Sequence, residues 1–295
     1  MSIATLFFII LLTFIMMHAI PGGPFTSDKD VPQSVIDALE EKYHLNDPLP
    51  VQFFDYLKGV VRFELGPSFK YTGKTVNDFI TSGMPYSARL GLIALVVVVV
   101  LAIPMGIIAA LNNNKWPDIL LMIVATVGVT VPSFVVASGL MYVFAYTLGW
   151  LPTYGVDSWQ GYILPVVVLA GYSISFVARL MRSSLLEVMG QDYIRTARAK
   201  GLSETRVITK HALRNAIIPA ITVLGPTTAG LLTGSFVIEK IFAIPGMGAH
   251  FVNSVGQRDY TVIMGMTVVY AILLVSMVFI VDILYRLVDP RIKFE

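Results

Sequence analysis

A chain of 295 residues that is 56% hydrophobic and 14% charged, with a mean hydropathy of +0.74, falls far below the roughly 25% charged residues of a soluble domain and reads as a membrane protein. The lack of cysteine excludes a disulfide framework and a thiolate metal site, and a net charge of +2 gives no argument for a nucleic-acid partner.

In chain order, six apolar runs are long enough to cross a bilayer, about 20 residues each: 2–20, 90–111, 119–150, 161–178, 216–238 and 260–281. The expectation is an all-α integral membrane protein with six transmembrane helices. The first run lacks a basic n-region, and "PGGPFTSD" after it offers no A-x-A-like cleavage site, so a retained helix is expected. The run from Ile119 exceeds one crossing, and Pro132 inside it predicts a kink, a tilt or a helix continuing beyond the bilayer surface. Between the first two runs, Pro32, Val35, Ile36, Leu39 and Tyr43 mark one short amphipathic helix, and Phe53, Phe54, Leu57, Val60 and Val61 a second. Either packing on the span ends or docking of an external partner would use such faces.

Lysine and arginine counts set the orientation. With a cytoplasmic N-terminus, the inner segments hold Lys115, Arg179, Arg182, Arg195, Arg198, Lys200, Arg206, Lys210, Arg214, Arg286, Arg291 and Lys293, whereas the short outer segments hold Lys240 and Arg258. Both termini are therefore expected inside. The chain is expected to divide into a first transmembrane helix (1–20), an extracytoplasmic loop with short amphipathic helices (21–84), a core of five transmembrane helices (85–285) including a basic segment at 183–217, and a cytoplasmic tail (286–295).

Enzyme signatures fail on spacing. "TGKT" at Thr72 lacks the glycine that a phosphate-wrapping loop needs five residues before Gly73, and it falls in the outer loop. His18, His44, His211 and His250 are scattered, with no H-E-x-x-H, and no G-x-S-x-G elbow occurs. Asp282 and Arg286, at i and i+4, read as an ion pair anchoring the end of the last span. Span interiors nearly free of charge disfavour a self-contained secondary transporter, and the absence of a catalytic cluster disfavours a membrane enzyme. Ser133, Thr227, Thr228, Gly230, Gly234 and Ser235 would suit a neutral polar pathway; Gly230 and Gly234 have the G-x-x-x-G spacing of close helix packing, and Pro104 and Gly106 do something similar in the second span.

The basic segment "YIRTARAKGLSETRVITKHALRNAIIP", 193–219, predicts two short helices. The first is stopped by Gly201 in a left-handed position, and Ser203 caps the second, with Glu204 in its first turn and Arg206, Lys210 and Arg214 beyond. A helix, a glycine break and a second helix suit insertion into a groove on a separate soluble protein.

This segment resembles the cytoplasmic coupling loop of binding-protein-dependent ABC importer permeases of the oligopeptide and dipeptide branch. "PGGPF" at Pro21, "LGPSFKY" at Leu65, "VPSFV" at Val131, "GSFVIEKIFAIPGMG" at Gly234, "RDYTVIMG" at Arg258 and "DPRIK" at Asp289 extend the likeness along the chain, and "GPSFKY" with "VND" is most similar to the B subunits of oligopeptide permeases. The family's E-A-A-x-x-x-G pattern falls on Arg195, Thr196, Ala197 and Gly201, of which Ala197 and Gly201 match. Its I-x-L-P pattern falls on His211, Leu213 and Arg214, of which Leu213 matches. The resemblance implies a type I ABC importer permease fold in a bacterial cell membrane. It implies a homologous second permease, two cytoplasmic ATPases, an external solute-binding protein and a peptide substrate, with no cofactor, metal or nucleic acid. It also implies ATPase coupling through Arg195, Thr196, Ala197, Arg198, Lys200, Gly201, Ser203, His211 and Leu213. Dipeptide or nickel permeases of the same family are the nearest alternatives.

Overall fold

The computed structural model describes residues 2–21, 23, 25, 38, 40–232 and 235–288, with the backbone alone at 2, 281, 282 and 284–288. Outside the described residues lie most of the first amphipathic helix (Pro32, Val35, Ile36 and Leu39), Gly234, the motif at Asp289 and the tail from there on. The side chains of Asp282 and Arg286 lie outside them too.

The elements are helical: α1 (Ser2–Ala19), α2 (Leu49–Val61), α3 (Val76–Leu111), α4 (Trp116–Thr130), α5 (Ser133–Leu140), α6 (Ile163–Met189), α7 (Asp192–Ala199), α8 (204–216), α9 (Ile218–Leu232), α10 (Phe236–Ile241), α11 (Met247–Gln257) and α12 (Tyr260–Val288). Among the described residues, four stretches are long and apolar enough to cross a membrane: Val76–Leu111, Trp159–Met189, Ile218–Ile241 and Tyr260–Ile280. The expected third span is a bent pair. Trp116–Thr130 and Ser133–Thr147 pass that test only together and meet at 106°, because Pro132 has no N–H to continue the ladder. The expected first span, Ile3–Ala19, is an apolar helix shorter than those four.

Two compact units divide the chain: 1–86 with 245–275, and 87–244 with 276–295. In the first unit, Phe53 on α2 is buried against Ile10, Phe14, Met264 and Val268, and Leu57 and Val60 pack beside it. Phe54 and Val61, expected on that same face, are exposed; they stand one residue beyond the inward 53, 57, 60 stripe, of which Phe53 is buried and Leu57 and Val60 half-buried. The helix α3 begins fourteen residues before the apolar run from Leu90, for a local reason. Thr75 Oγ1 donates to Asp78 Oδ2 at 2.9 Å and accepts from Asp78 N at 3.3 Å, and Thr75 N reaches the same carboxylate at 2.7 Å. This is a capping box, so the threonine that ends "TGKT" starts a helix.

A second carboxylate organises this unit. Asp259, fully buried, accepts from the Ser68 hydroxyl and, at 3.1 Å, from Phe69 N, and Ser68 Oγ accepts in turn from Tyr71 N at 2.9 Å. Thr261 Oγ1 donates to Pro67 O at 2.6 Å. The sequence motifs "LGPSFKY" and "RDYT" are thus two sides of one polar knot at the start of α12. Nearby, a cavity of ≈ 640 Å³ is lined by Phe14, His18, Tyr43, Tyr56 and Tyr260 among others. Burial pushes the Tyr56 phenol well up, and its hydroxyl and that of Tyr260 meet no partner among the described residues.

The second unit packs α3, α6 and the 192–216 segment into one apolar cluster that includes Leu90, Val98, Val177, Met181, Leu185, Ile194 and Val207. Small residues permit the close approaches, and in the second span the expected one is seen. A Cβ on Gly230 would meet nothing within 4 Å, whereas one on Gly106 would lie 2.6 Å from the Ala178 carbonyl oxygen and 2.6 Å from Met181 Cβ. On α10, Glu239 is fully buried and accepts from Ser87 Oγ at 2.7 Å.

Candidate functional site

The basic segment forms the helix–turn–helix that its residues predict. In α7, Ile194 and Ala197 at i and i+3 turn inward and are buried, leaving Arg195, Thr196 and Arg198 exposed. Lys200 N donates to Thr196 O at 3.1 Å and Gly201 N to Arg198 O at 2.9 Å, and Gly201 then takes φ +74°, the left-handed cap that ends the helix. Ser203 takes the N-cap position of α8 with extended backbone, but its hydroxyl makes no capping bond. The carbonyl of Ser203 does that work, accepting from Arg206 N and Val207 N at 2.9 Å each.

Across the turn, Arg198 Nε donates to Glu204 Oε1 at 2.7 Å and Nη2 to Oε2 at 3.3 Å. The pair is solvent-exposed, so it holds the two helices in register with little energy, about 0–1 kcal/mol. Asn215 Nδ2 donates to the Tyr193 hydroxyl at 2.8 Å, a second tie between the same helices.

One feature of α8 is not legible as an α-helical pattern. Val207–Ala212 is widened to π geometry between short α-helical turns at Glu204–Arg206 and Leu213–Ala216. Val207, Ala212 and Ala216 are all fully buried. In an unbroken α-helix His211 would follow Val207 on the inward face. The wider turn brings Ala212 there and leaves the imidazole half-buried, avoiding the cost of burying a polar ring.

The nine residues expected at the coupling face therefore separate. Arg195, Thr196, Arg198, Lys200, Gly201 and Ser203 lie exposed at the turn, His211 and Leu213 are half-buried, and Ala197 is buried within the unit. Ala197, one of the two positions matching the E-A-A-x-x-x-G pattern, holds the helix pair together and has no surface to offer a partner.

The pathway residues are not gathered. Thr227 and Thr228 return their hydroxyls to the Val223 and Leu224 carbonyls at 2.6 Å each, and Gly230 is exposed further along α9. Ser235 precedes α10, half-buried. Ser133, exposed, lines a different cavity of ≈ 290 Å³ at the bend, beside Gly128, Pro132, Gly171 and Tyr172. Among the described residues that cavity includes none of the other pathway candidates.

Residues 102–294 match the family described as binding-protein-dependent transport system inner membrane component. The chain belongs to this family. Among its relatives, a dipeptide transport system permease protein, DppB of Bacillus subtilis strain 168, is 49% identical over 99% of this chain and 95% of its own length. Oligopeptide transport system permease proteins OppB of Haemophilus influenzae and Escherichia coli K12 are 46% and 44% identical, each over 99% of this chain and 96% of theirs. The resemblance read from the motifs holds, with dipeptide and oligopeptide relatives at similar identity. Two solved ABC transporters share the fold. One is an amino acid transporter crystallised with histidines (TM-score 0.53, 18% identity, 78% of this chain and 97% of that one). The other is the methionine transporter MetNI, facing inward (TM-score 0.55, 17% identity, 73% and 97%). The fold is that of a type I ABC importer permease.

In this transport-system component, sequence reasoning passed over three buried polar pairs. Asp118 is 2% exposed and receives a two-pronged contact from Arg182; Ser87 meets Glu239; Ser68 meets Asp259. A signal existed for two of them. Pro117 and Asp118 at the head of an apolar run, and Asp259 just before another, are helix-start chemistry. Arg182 had been counted only as a topology charge, which says nothing about its partner.

Proposed function

We propose that this chain is one of two membrane subunits forming the translocation path of a binding-protein-dependent importer of short peptides, with the 192–216 helix–turn–helix on the cytoplasmic side as the contact for an ATPase. The observation that carries the reading is the exposed basic apex around Gly201, rigidly backed by Ile194, Ala197, Val207 and Ala212, in a chain whose full-length relatives are named peptide permeases. An apex buried on its inner side and polar outside is built to be pushed by something outside the membrane. ATP hydrolysis belongs on that reading to two separate cytoplasmic ATPases, and selection of cargo to an external solute-binding protein. Substrate choice weighs little in the membrane path on that reading, since Thr227 and Thr228 among the polar groups there already give their hydroxyls to their own helix.

Deleting the subunit is expected to abolish uptake of short peptides and to confer resistance to toxic peptide analogues, while exchange of the binding protein alters which peptides enter. A deletion strain that imports peptides normally, without a paralogue to compensate, and loses nickel accumulation would overturn the peptide assignment.

The orientation is tested separately, and the lack of native cysteine makes the test clean. Ser203 and Ser158 are both exposed. A cysteine at Ser203 should react with an impermeant maleimide only in opened cells, and one at Ser158 in cells stripped of any outer barrier but otherwise intact. The opposite pattern would invert the topology.

A further inference from the structure

The helix α6 leads, through Gly190 and Gln191, directly into α7 and the basic turn, so force received there has a covalent route into α6, as it has through Ile217 into α9. Seven residues before the end of α6 stands Arg182. Its Nε donates to Asp118 Oδ1 at 2.6 Å and its Nη2 to Asp118 Oδ2 at 2.6 Å, a planar fork on a carboxylate. The same Nη2 donates to Asn113 Oδ1 at 2.9 Å, and Asn114 N donates to Asp118 Oδ2 at 2.8 Å. The carboxylate side chain is 3% exposed and the guanidinium 24%, so the contact is largely withdrawn from water. Ten residues further along α4 a second contact joins the same two helices: a Cβ on Gly128 would collide with Ser175 Oγ and lie 3.3 Å from the Gly171 carbonyl oxygen of α6. Just past it, at Pro132, the chain turns through 106° into α5, where Ser133 lines the bend cavity.

We propose that Asp118 and Arg182 are positioning residues. Their ion pair clasps α4 to α6, so that displacement of the 192–216 turn is delivered to the bend at Pro132. The inference rests on the importer reading above. Two geometric facts favour it over simple anchoring. The fork is rigid in two directions where a single lysine contact would swivel, and it sits at the end of α6 nearest the turn, where the helix would otherwise slide past α4. A buried pair of this kind adds little net stability over an apolar replacement, so its value lies in fixing register.

The experiment uses the full complex, with its second membrane subunit, ATPases and binding protein, reconstituted in liposomes. ATP hydrolysed per peptide transported is measured for wild type, Arg182→Lys, Arg182→Ala and Asp118→Asn. Spin labels on cysteines introduced at the exposed Ile123 of α4 and Phe176 of α6 report the inter-helix distance with and without ATP. In wild type that distance should stay constant through the cycle. In the variants it should change, and transport per ATP should fall about tenfold, within the range of a site-to-site coupling, while ATPase activity persists. Should Arg182→Ala fail to assemble, Arg182→Lys, which keeps the charge and loses the fork, carries the test. Variants that assemble in lower amount but keep the wild-type ratio and the constant distance would show mere scaffolding and overturn the clasp. A wild-type complex without peptide-stimulated ATP hydrolysis would instead sink the functional reading, and this inference with it.

Discussion

Replacing Gly201 by aspartate is expected to cut peptide uptake at least about tenfold while leaving the amount of membrane-inserted chain within about twofold, since coupling between sites is typically worth 5–150-fold. The glycine holds φ +74°, where any Cβ costs about 1–2 kcal/mol, but a Cβ there would meet nothing within 4 Å. Within this chain, then, the substitution is a modest strain at an exposed turn outside the membrane-crossing stretches. Its large effect must arise in the groove that receives the turn, where a carboxylate would be desolvated without a partner of its own. Gly201→Ala, with the strain and without the charge, should fall between. ATPase activity measured alongside uptake separates detachment, in which both are lost, from uncoupling, in which hydrolysis continues. Wild-type transport by Gly201→Asp would show the apex to be an ordinary loop.

Gly106→Val should act in the opposite manner, removing the protein itself. Any side chain there meets the Ala178 backbone oxygen and Met181, both fully buried, and backbone cannot rotate out of the way. Over-packing of this sort costs about 1–3 kcal/mol or more, a large share of a margin of 5–15 kcal/mol. Membrane abundance should drop severely, and any chain that remains should unfold at lower temperature in a detergent melt. Gly230→Val is the control: the position is open, so abundance should be near wild type unless a second subunit packs there, in which case assembly alone suffers.

These two glycines also show what a sequence discloses and what it withholds. Gly201 was legible because a left-handed residue after a helix is a local requirement, written in its neighbours. Gly106 was legible only as a small residue inside a span; what it packs against was not, because Met181 lies 75 residues away. The same division runs through the fold. Apolar runs located the four long stretches and the bent pair, but the start of α3 at Val76 was hidden in a polar stretch where Thr75 and Asp78 cap each other. Pro132 marked a kink without its angle, since 106° depends on what packs against each half. At the basic segment both helices and their glycine break were readable. The π turn was not, because it shifts the inward position from His211 to Ala212 and follows no 3.6-residue period. The burial of Ala197 was hidden for a related reason: matching a family pattern does not reveal whether the match faces out or in.

The break at Pro132 also constrains its surroundings. Proline offers no N–H to the Gly128 carbonyl, and among the described residues no backbone bond reaches the carbonyls of Gly128, Val129, Thr130 or Val131. Four acceptors without donors are intolerable in contact with acyl chains, where each would cost several kcal/mol, about what a whole turn of packing provides. Lipid therefore cannot be the solvent at this corner of the molecule. Water standing in a passage, or polar atoms of an adjoining subunit, are the expected surroundings, and a cysteine introduced at Ser133 should react with a water-soluble, charged thiol reagent.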